Sequence, residues 1–436
     1  MSHLIQIADN SPFRQELEEV LLDNLKKMAE KPISQLVLDD NPNLLIFPQD
    51  YKTYGDDIGK EHIFNVKEGK LWTGNIMGFI GFKDTKVRIH SRFDQKEEKD
   101  FFLHYMLQKV FAINLFDLKY NSDEESIFDF LLYLFPSALK LAMRQGLYKE
   151  YQTRRYNDQN IRGHIDVKRH IRLNYPFTGK VAYSTREYAY DNHVTQLVRH
   201  TIEYIAQHPF GGNILHNDDA TRDAVTQIKE ATPTYSRNER RRVVYLNLRP
   251  VRHPYFYEYR NLQRLCLQIL RHEELKYGRD DDQIYGVLFD GAWLWEEYLN
   301  TFLKDLGFKH PRNKEGTGGR RIFSDKGGER VMPDFHSENM ILDAKYKGYS
   351  DWTNVGRDDR FQLLAYMYLF GISHSAFVVP VDTASLTYPT RLLNRPTGKM
   401  SIFGLNVALN NKGFDEYCSH MKKEEGKLMS QIKHFL

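Results

Sequence analysis

Val331-Met332-Pro333-Asp334, followed after a short turn by Ile341-Leu342-Asp343-Ala344-Lys345, is the stretch that decides how this 436-residue chain is read. Both segments look like strands, with Ser337-Glu338-Asn339 supplying turn residues between them. Side chains alternate faces along a strand, so Asp343 and Lys345 project to one side of the sheet and Leu342 and Ala344 to the other. Pairing in register would set Asp334 beside them. Two acids and a lysine on one patch of sheet are costly without a partner and useful with a cation between the carboxylates. An isolated Asp-x-Lys is most simply an exposed ion pair, so the flanking sequence has to decide.

Upstream, residues 288–306 predict an amphipathic helix. Glu296 shares its apolar face with Ala292, Leu299 and Leu303, whereas Glu297 points towards Asn300, Thr301 and Lys304. A carboxylate on a buried face needs a partner. Strands are expected over 320–323, 330–335 and 340–346, then a helix over 357–370 that stops at Gly371 and sets Gln362 and Tyr366 four apart on one face. A buried strand, Ala376-Phe377-Val378-Val379-Pro380, closes the unit. His336 shares the face of Asp334 and is a secondary candidate for lining the site. Gly316-Thr317-Gly318-Gly319 reads as a flexible connection and not as a dinucleotide loop, since no matching helix pattern follows it.

The chemistry these residues suit is hydrolysis of a phosphodiester. Mg²⁺ takes carboxylate and carbonyl oxygens and keeps several waters, so Asp334, Asp343 and the Ala344 carbonyl make an open site for it. Water on such a metal is a better nucleophile, and the Lys345 ammonium could orient it and offset charge on the phosphorane.

Residues 1–95 show short β-like runs, clearest at Leu36-Val37-Leu38, Leu44-Leu45-Ile46-Phe47, Gly78-Phe79-Ile80-Gly81-Phe82 and Val87-Arg88-Ile89-His90, with one helix over 14–29. From 96 to 280 the periodicity is helical, with helices expected near 127–144, 192–206, 219–231 and 257–272. Between them lie basic stretches expected to be loops: Arg154-Arg155, Arg162 to His170, and Arg240-Arg241-Arg242. These arginines could face phosphates, with Tyr156 and Tyr235 near enough in sequence to stack on bases; an ordinary solvated surface explains them equally well. The expected architecture is therefore a multidomain α+β and α/β chain: a β-rich region over 1–95, a mainly helical region over 96–280, and an α/β domain with a carboxy-terminal extension over 281–436.

The ordered set Glu296, Pro333-Asp334, Asp343-Ala344-Lys345 and Gln362 with Tyr366 resembles the PD-(D/E)XK nuclease superfamily, whose core is a mixed central sheet flanked by helices. Further stretches narrow this: Leu288-Phe289-Asp290 leading into Leu294-Trp295-Glu296-Glu297-Tyr298, Leu342 to Lys347, and upstream Arg162-Gly163-His164-Ile165-Asp166, Arg186-Glu187-Tyr188 and Asp191-Asn192. Over roughly 75–385 the chain is similar to McrC, the nuclease subunit of McrBC modification-dependent restriction systems. The resemblance implies a Mg²⁺-dependent DNA endonuclease, with Mn²⁺ as a possible substitute, acting with a separate AAA+ GTPase, McrB. That partner recognises methylated cytosine and moves along DNA, while the nuclease subunit cuts and stimulates the GTPase, a phage-defence role in the cytoplasm of a bacterium or archaeon. Asp334 and Asp343 would ligate the metal, Glu296 would complete or orient the site, Lys345 would assist the water, and Gln362 would position Lys345 or the phosphate, with Tyr366 in support. The amino-terminal part of such subunits enters the GTPase ring, which by position points to residues 1–95.

Composition agrees in outline. The chain has 61 Lys+Arg against 58 Asp+Glu, so it lacks the basic excess of a protein that grips DNA alone. All five Gly-Lys pairs, at Gly59, Gly69, Gly179, Gly398 and Gly426, lack the Ser or Thr that a P-loop needs next, so GTP chemistry is expected from a partner. Cys266 and Cys418 suggest neither a disulfide scaffold nor a zinc site, and no signal peptide or membrane span is expected. Two alternatives remain: a PD-(D/E)XK nuclease of another repair or restriction context, and a chain that mainly regulates a ring NTPase.

Overall fold

A computed structural model describes residues 3–436 outside 14–18, 39–43, 49–56, 68–69, 95–99, 112–123, 210, 217, 277–283, 312–318, 325–329, 350, 383–389, 395–397 and 409–412. The Gly316-Thr317-Gly318 segment and the start of the helix expected over 14–29 lie outside the described residues. The chain divides into two compact units, one of residues 1–127 and 280–436, the other of 128–279. The expected boundaries near 95 and 281 thus give way to a different grouping, in which both ends of the chain share one unit.

The reason is a strand that the sequence hides. Tyr285–Asp290 is extended and lies inside the amino-terminal sheet, antiparallel to Ile76–Phe82 on one side and parallel to Leu44–Phe47 on the other. The sheet is completed by Thr85–His90 and His3–Ala8. In the first of these pairings Gly78 lies opposite Leu288 and Gly286 opposite Ile80, with φ of 127° and 153°, and a Cβ on Gly286 would stand 2.2 Å from the Phe79 carbonyl oxygen. The helix expected over 288–306 accordingly begins three residues late, at Gly291–Leu303, with the Asp290 side chain accepting from Ala292 N–H at 2.9 Å as its cap. Leu36-Val37-Leu38, expected as strand, belongs instead to the helical turn Ile33–Leu38, where Leu36 N–H bonds to the Pro32 carbonyl.

The second sheet of this unit has five strands in the order Phe335–His336, Met340–Ala344, His374–Val381, Gly398–Asn406, Arg391–Leu393. The first pairing and the last are antiparallel and the inner two parallel. Mixed pairing flanked by helices was expected, but the sheet does not close at His374–Val381. The carboxy-terminal extension adds two strands and the helix Phe414–Lys433. One face, bearing Ile341, Phe377 and Val379, packs on Leu363, Tyr366, Met367 and Phe370 of the helix Arg357–Phe370. On the Gly291–Leu303 helix, Trp295 is buried and its indole N–H donates to the Val378 carbonyl at 3.2 Å.

Glu425, buried on the Phe414–Lys433 helix, accepts from Tyr105 Oη at 2.9 Å, Tyr298 Oη at 2.8 Å and Lys109 Nζ at 2.9 Å. It thereby ties the last helix to Phe101–Phe111 and to Gly291–Leu303.

The other unit is helical, as expected, but also holds a three-stranded sheet of Glu150–Asp158, Val181–Ala189 and His164–Ile165. Among the described residues no helix is long and apolar enough to cross a membrane.

Candidate active site

Pro333 and Asp334 sit in the break between two short strands, Arg330–Val331 and Phe335–His336, where 330–335 was expected to run as one. The register beyond the break is the anticipated one: Phe335 pairs with Leu342 and His336 with Ile341. Asp334 therefore comes level with Asp343, and its Oδ2 accepts the Ala344 backbone N–H at 2.7 Å. Asp343 is 1% exposed and its Oδ2 lies 2.9 Å from Lys345 Nζ. The same ammonium donates to Gln362 Oε1 at 3.1 Å, and Gln362 Nε2 donates to Tyr366 Oη at 2.9 Å. The strand thus supplies Asp343 and, one residue past its end, Lys345; the turn supplies Asp334, and the covering helix supplies a relay from Gln362 to Tyr366.

Electrostatics follow from burial. Desolvation raises the Asp343 pKa even though the Lys345 ammonium opposes it, and the nearby Asp359 charge adds to the rise. Burial works against charge on Lys345, but Asp343, and then Asp334 and Asp359, outweigh it and hold the ammonium above its ordinary range. Lys345 is protonated at neutral pH. The Tyr366 phenol is pushed up to about 12, chiefly by burial and then by the charge of Asp343.

Sequence reasoning overlooked Asp359. It lies in the first turn of Arg357–Phe370, accepts from Tyr349 Oη at 2.9 Å, and stands 3.7 Å from Lys345 and 3.3 Å from Lys347. An acid near a helix start was legible, but its reach back to Lys345 was not. His310 was also missed; its Nδ1 lies 2.6 Å from the Asp334 carbonyl oxygen and its Nε2 3.9 Å from Glu297.

Glu296 is half-buried on the Gly291–Leu303 helix, and among the described residues no three His, Cys, Asp or Glu side chains are placed to hold a metal together. Glu297, expected to face outward, is the one that approaches His310. His336 has its ring 5.2 Å from that of Phe370, and its backbone pairs with Lys309. It does not join the acids.

The remaining donors are all oxygen: the buried Asp343 carboxylate, the half-buried Asp334 carboxylate and the Ala344 carbonyl. That set fits Mg²⁺, which commonly binds one or two carboxylates and retains waters.

The arginine candidates belong to the 128–279 unit and none of the clusters at 154–155 and 240–242 is a loop. Arg154 and Arg155 lie on the strand Glu150–Asp158, with Arg154 3.8 Å from Glu187 and Arg155 exposed. Arg240, Arg241 and Arg242 form the first turn of the helix Arg240–Leu246. Arg240 lies over the Tyr204 ring and donates to the Leu270 carbonyl, Arg242 pairs with Glu239 at 3.0 Å, and Arg241 is exposed. Arg162 is exposed too. Tyr156 stacks on Tyr183, and Tyr235 packs on His200 with Arg199 over its ring at 4.8 Å. Tyr151 and Tyr188 form an exposed aromatic pair, and Arg186 lies over Tyr151 at 4.9 Å.

Residues 71–380 match the family model described as McrBC 5-methylcytosine restriction system component. The chain belongs to that family. Membership agrees with the McrC resemblance and gives Arg162 to Asp166 and Asp191-Asn192 a place within the matched region. Their visible work is structural: Asp166 accepts from Arg169 N–H at 3.1 Å as a helix cap, and Asn192 forms a capping box with Thr195. Two solved structures from Thermococcus gammatolerans are similar. One is a half-complex from a tetradecameric assembly of McrB AAA+ hexamers with bound McrC, 14% identical, covering 97% of this chain and 100% of that one at a TM-score of 0.48. The other is a McrBC complex, 16% identical, covering 69% of this chain and 87% of that one at a TM-score of 0.33. No curated protein sequence matches.

Proposed function

We propose that this chain is the Mg²⁺-dependent DNA-cutting subunit of a McrBC-like restriction system, with a PD-(D/E)XK catalytic core. The observation that carries the reading is the meeting of Asp334, Asp343, Lys345 and Gln362 at one point of the sheet, in a member of this family. Asp334, Asp343 and the Ala344 carbonyl would hold Mg²⁺ or Mn²⁺, which when bound supplies Lewis acidity and lowers the pKa of its water. Lys345, kept charged by Asp343, offsets negative charge that builds on the phosphate oxygens during attack. Gln362 fixes the Lys345 side chain and is itself held by Tyr366. Burial of Asp343 keeps bulk water from its carboxylate and strengthens its interaction with Lys345.

The partner we propose is an AAA+ GTPase of the McrB type, because no Gly-Lys pair in the chain has a P-loop context. The substrate would be DNA carrying methylated cytosine, and the exposed Arg155, Arg162, Arg186 and Arg241 are suited to its phosphates. A purified complex with GTP should cleave methylated plasmid only when a divalent ion is present. Cleavage that survives full chelation, or that Asp334→Ala leaves at the parent rate, contradicts the reading.

A further inference from the structure

The backbone that carries Lys345 is gripped from the amino-terminal sheet. Tyr346, the next residue, is 3% exposed, and its phenol meets Ser91 Oγ at 2.7 Å and Met77 Sδ at 3.3 Å. Its carbonyl accepts from Arg92 Nη2 at 2.5 Å, and the guanidinium lies over its ring at 4.7 Å. Arg92 is fixed in turn: Nη2 also donates to Asn75 Oδ1 at 2.9 Å, Nη1 lies 3.6 Å from Asp9 Oδ2, and its backbone N–H donates to Asp9 Oδ1 at 2.6 Å. Asp9 follows one strand, Asn75 precedes a second and Arg92 lies two residues past a third, and those three strands are neighbours in the five-stranded sheet, so the anchor is built from the turns at one end of that sheet.

Lys345 therefore sits between two fixed points. Its own N–H donates to the Val378 carbonyl at 3.0 Å, and the carbonyl of the following residue is held by Arg92. Between them its side chain must place Nζ against both Asp343 and Gln362. A planar guanidinium can serve two acceptors and one carboxylate at once, which an ammonium on a flexible stem cannot do in the same geometry. We propose that Arg92 is a positioning residue of the nuclease site, locking the Lys345 backbone from the amino-terminal sheet. This rests on the nuclease function proposed above.

The test uses the full chain with its GTPase partner, GTP, Mg²⁺ and methylated plasmid. Arg92→Ala should lower kcat by about 10- to 100-fold, the range expected when a catalytic group is displaced by about 1 Å, with KM for DNA and GTPase stimulation unchanged. Arg92→Lys should recover part of the rate. Asn75→Ala, which removes only the second anchor, should show a smaller loss of the same kind and covers the case in which Arg92→Ala does not fold. Glu425→Gln, a lesion in the same unit away from this anchor, controls for lost stability. Parent-like cutting by the Arg92 and Asn75 variants, or losses no larger than those of Glu425→Gln at matched melting temperature, overturns the inference alone. A parent that does not cut, or an Asp343→Ala variant that does, overturns the nuclease reading and the inference with it.

Discussion

Replacing Glu425 by leucine should loosen the last helix from the helix Phe101–Phe111, two elements more than 300 residues apart in sequence. The carboxylate is 4% exposed and accepts from two buried phenols and one ammonium. Its removal strands the hydroxyls of Tyr105 and Tyr298, both fully buried, at about 1–3 kcal/mol each. Lys109, 28% exposed at its side chain, can turn to water and adds little. Relief of the carboxylate's own desolvation and the packing of leucine offset part of this, leaving a net loss of about 2–4 kcal/mol. At roughly 1.7 °C per kcal/mol for a unit of about 280 residues, the melting temperature should fall by about 3–7 °C. Intrinsic tryptophan fluorescence suits the assay, because all four tryptophans, Trp72, Trp293, Trp295 and Trp352, lie in the unit that contains Glu425. Tyr298→Phe should be costly in the parent and nearly neutral beside Glu425→Leu. Equal melting of parent and Glu425→Leu, or an equal cost of Tyr298→Phe in both backgrounds, would show that the buried network is not formed.

Other consequences can be checked separately. Lys345→Met should reduce cutting by about 100- to 1,000-fold; by leaving Asp343 buried without its cation it should also cost about 3 kcal/mol, a loss that Mg²⁺ reverses more in the variant than in the parent in a thermal shift assay. Asp9 is buried and its pKa is raised by desolvation from 3.8 to about 7, against the pull of Arg92. The folded state holds that proton more tightly than the unfolded one, so stability falls as pH rises from about 4 to about 7, by up to about 4 kcal/mol. Denaturant titrations of parent and Asp9→Asn across that window should show the fall in the parent and not in the variant. Gly286→Ala should destabilise the amino-terminal sheet by about 3 kcal/mol or more, read by the same fluorescence melt, since its φ is 153° and its Cβ would meet the Phe79 carbonyl oxygen.

The acid and lysine face was legible because a strand's twofold alternation fixes which residues share a side, and Phe335 does pair with Leu342 as that pattern requires. The helix Arg357–Phe370 was legible to the residue, its end marked by Gly371 at a φ of 67°. The strand Tyr285–Asp290 was not, because its apolar run Val287-Leu288-Phe289 continues straight into a helical pattern and only the Asp290 cap separates them. Glu150–Asp158 was missed for the opposite reason: polar residues occupy both its faces, so no alternation appears. Glu296 was placed correctly on a helix, since its apolar neighbours Leu299 and Leu303 recur at helical spacing. Asp359, Arg92 and Glu425 act over long sequence separations, and no local period encodes such a pairing.

Asp343 is proposed to belong to a cutting centre. Single-turnover cleavage of methylated plasmid by the full complex, with GTP hydrolysis followed in the same reaction, tests it most directly. The structure-based expectation is that Asp343→Ala abolishes cutting while GTP hydrolysis continues at the parent rate. Cutting by Asp343→Ala as fast as by the parent would contradict it.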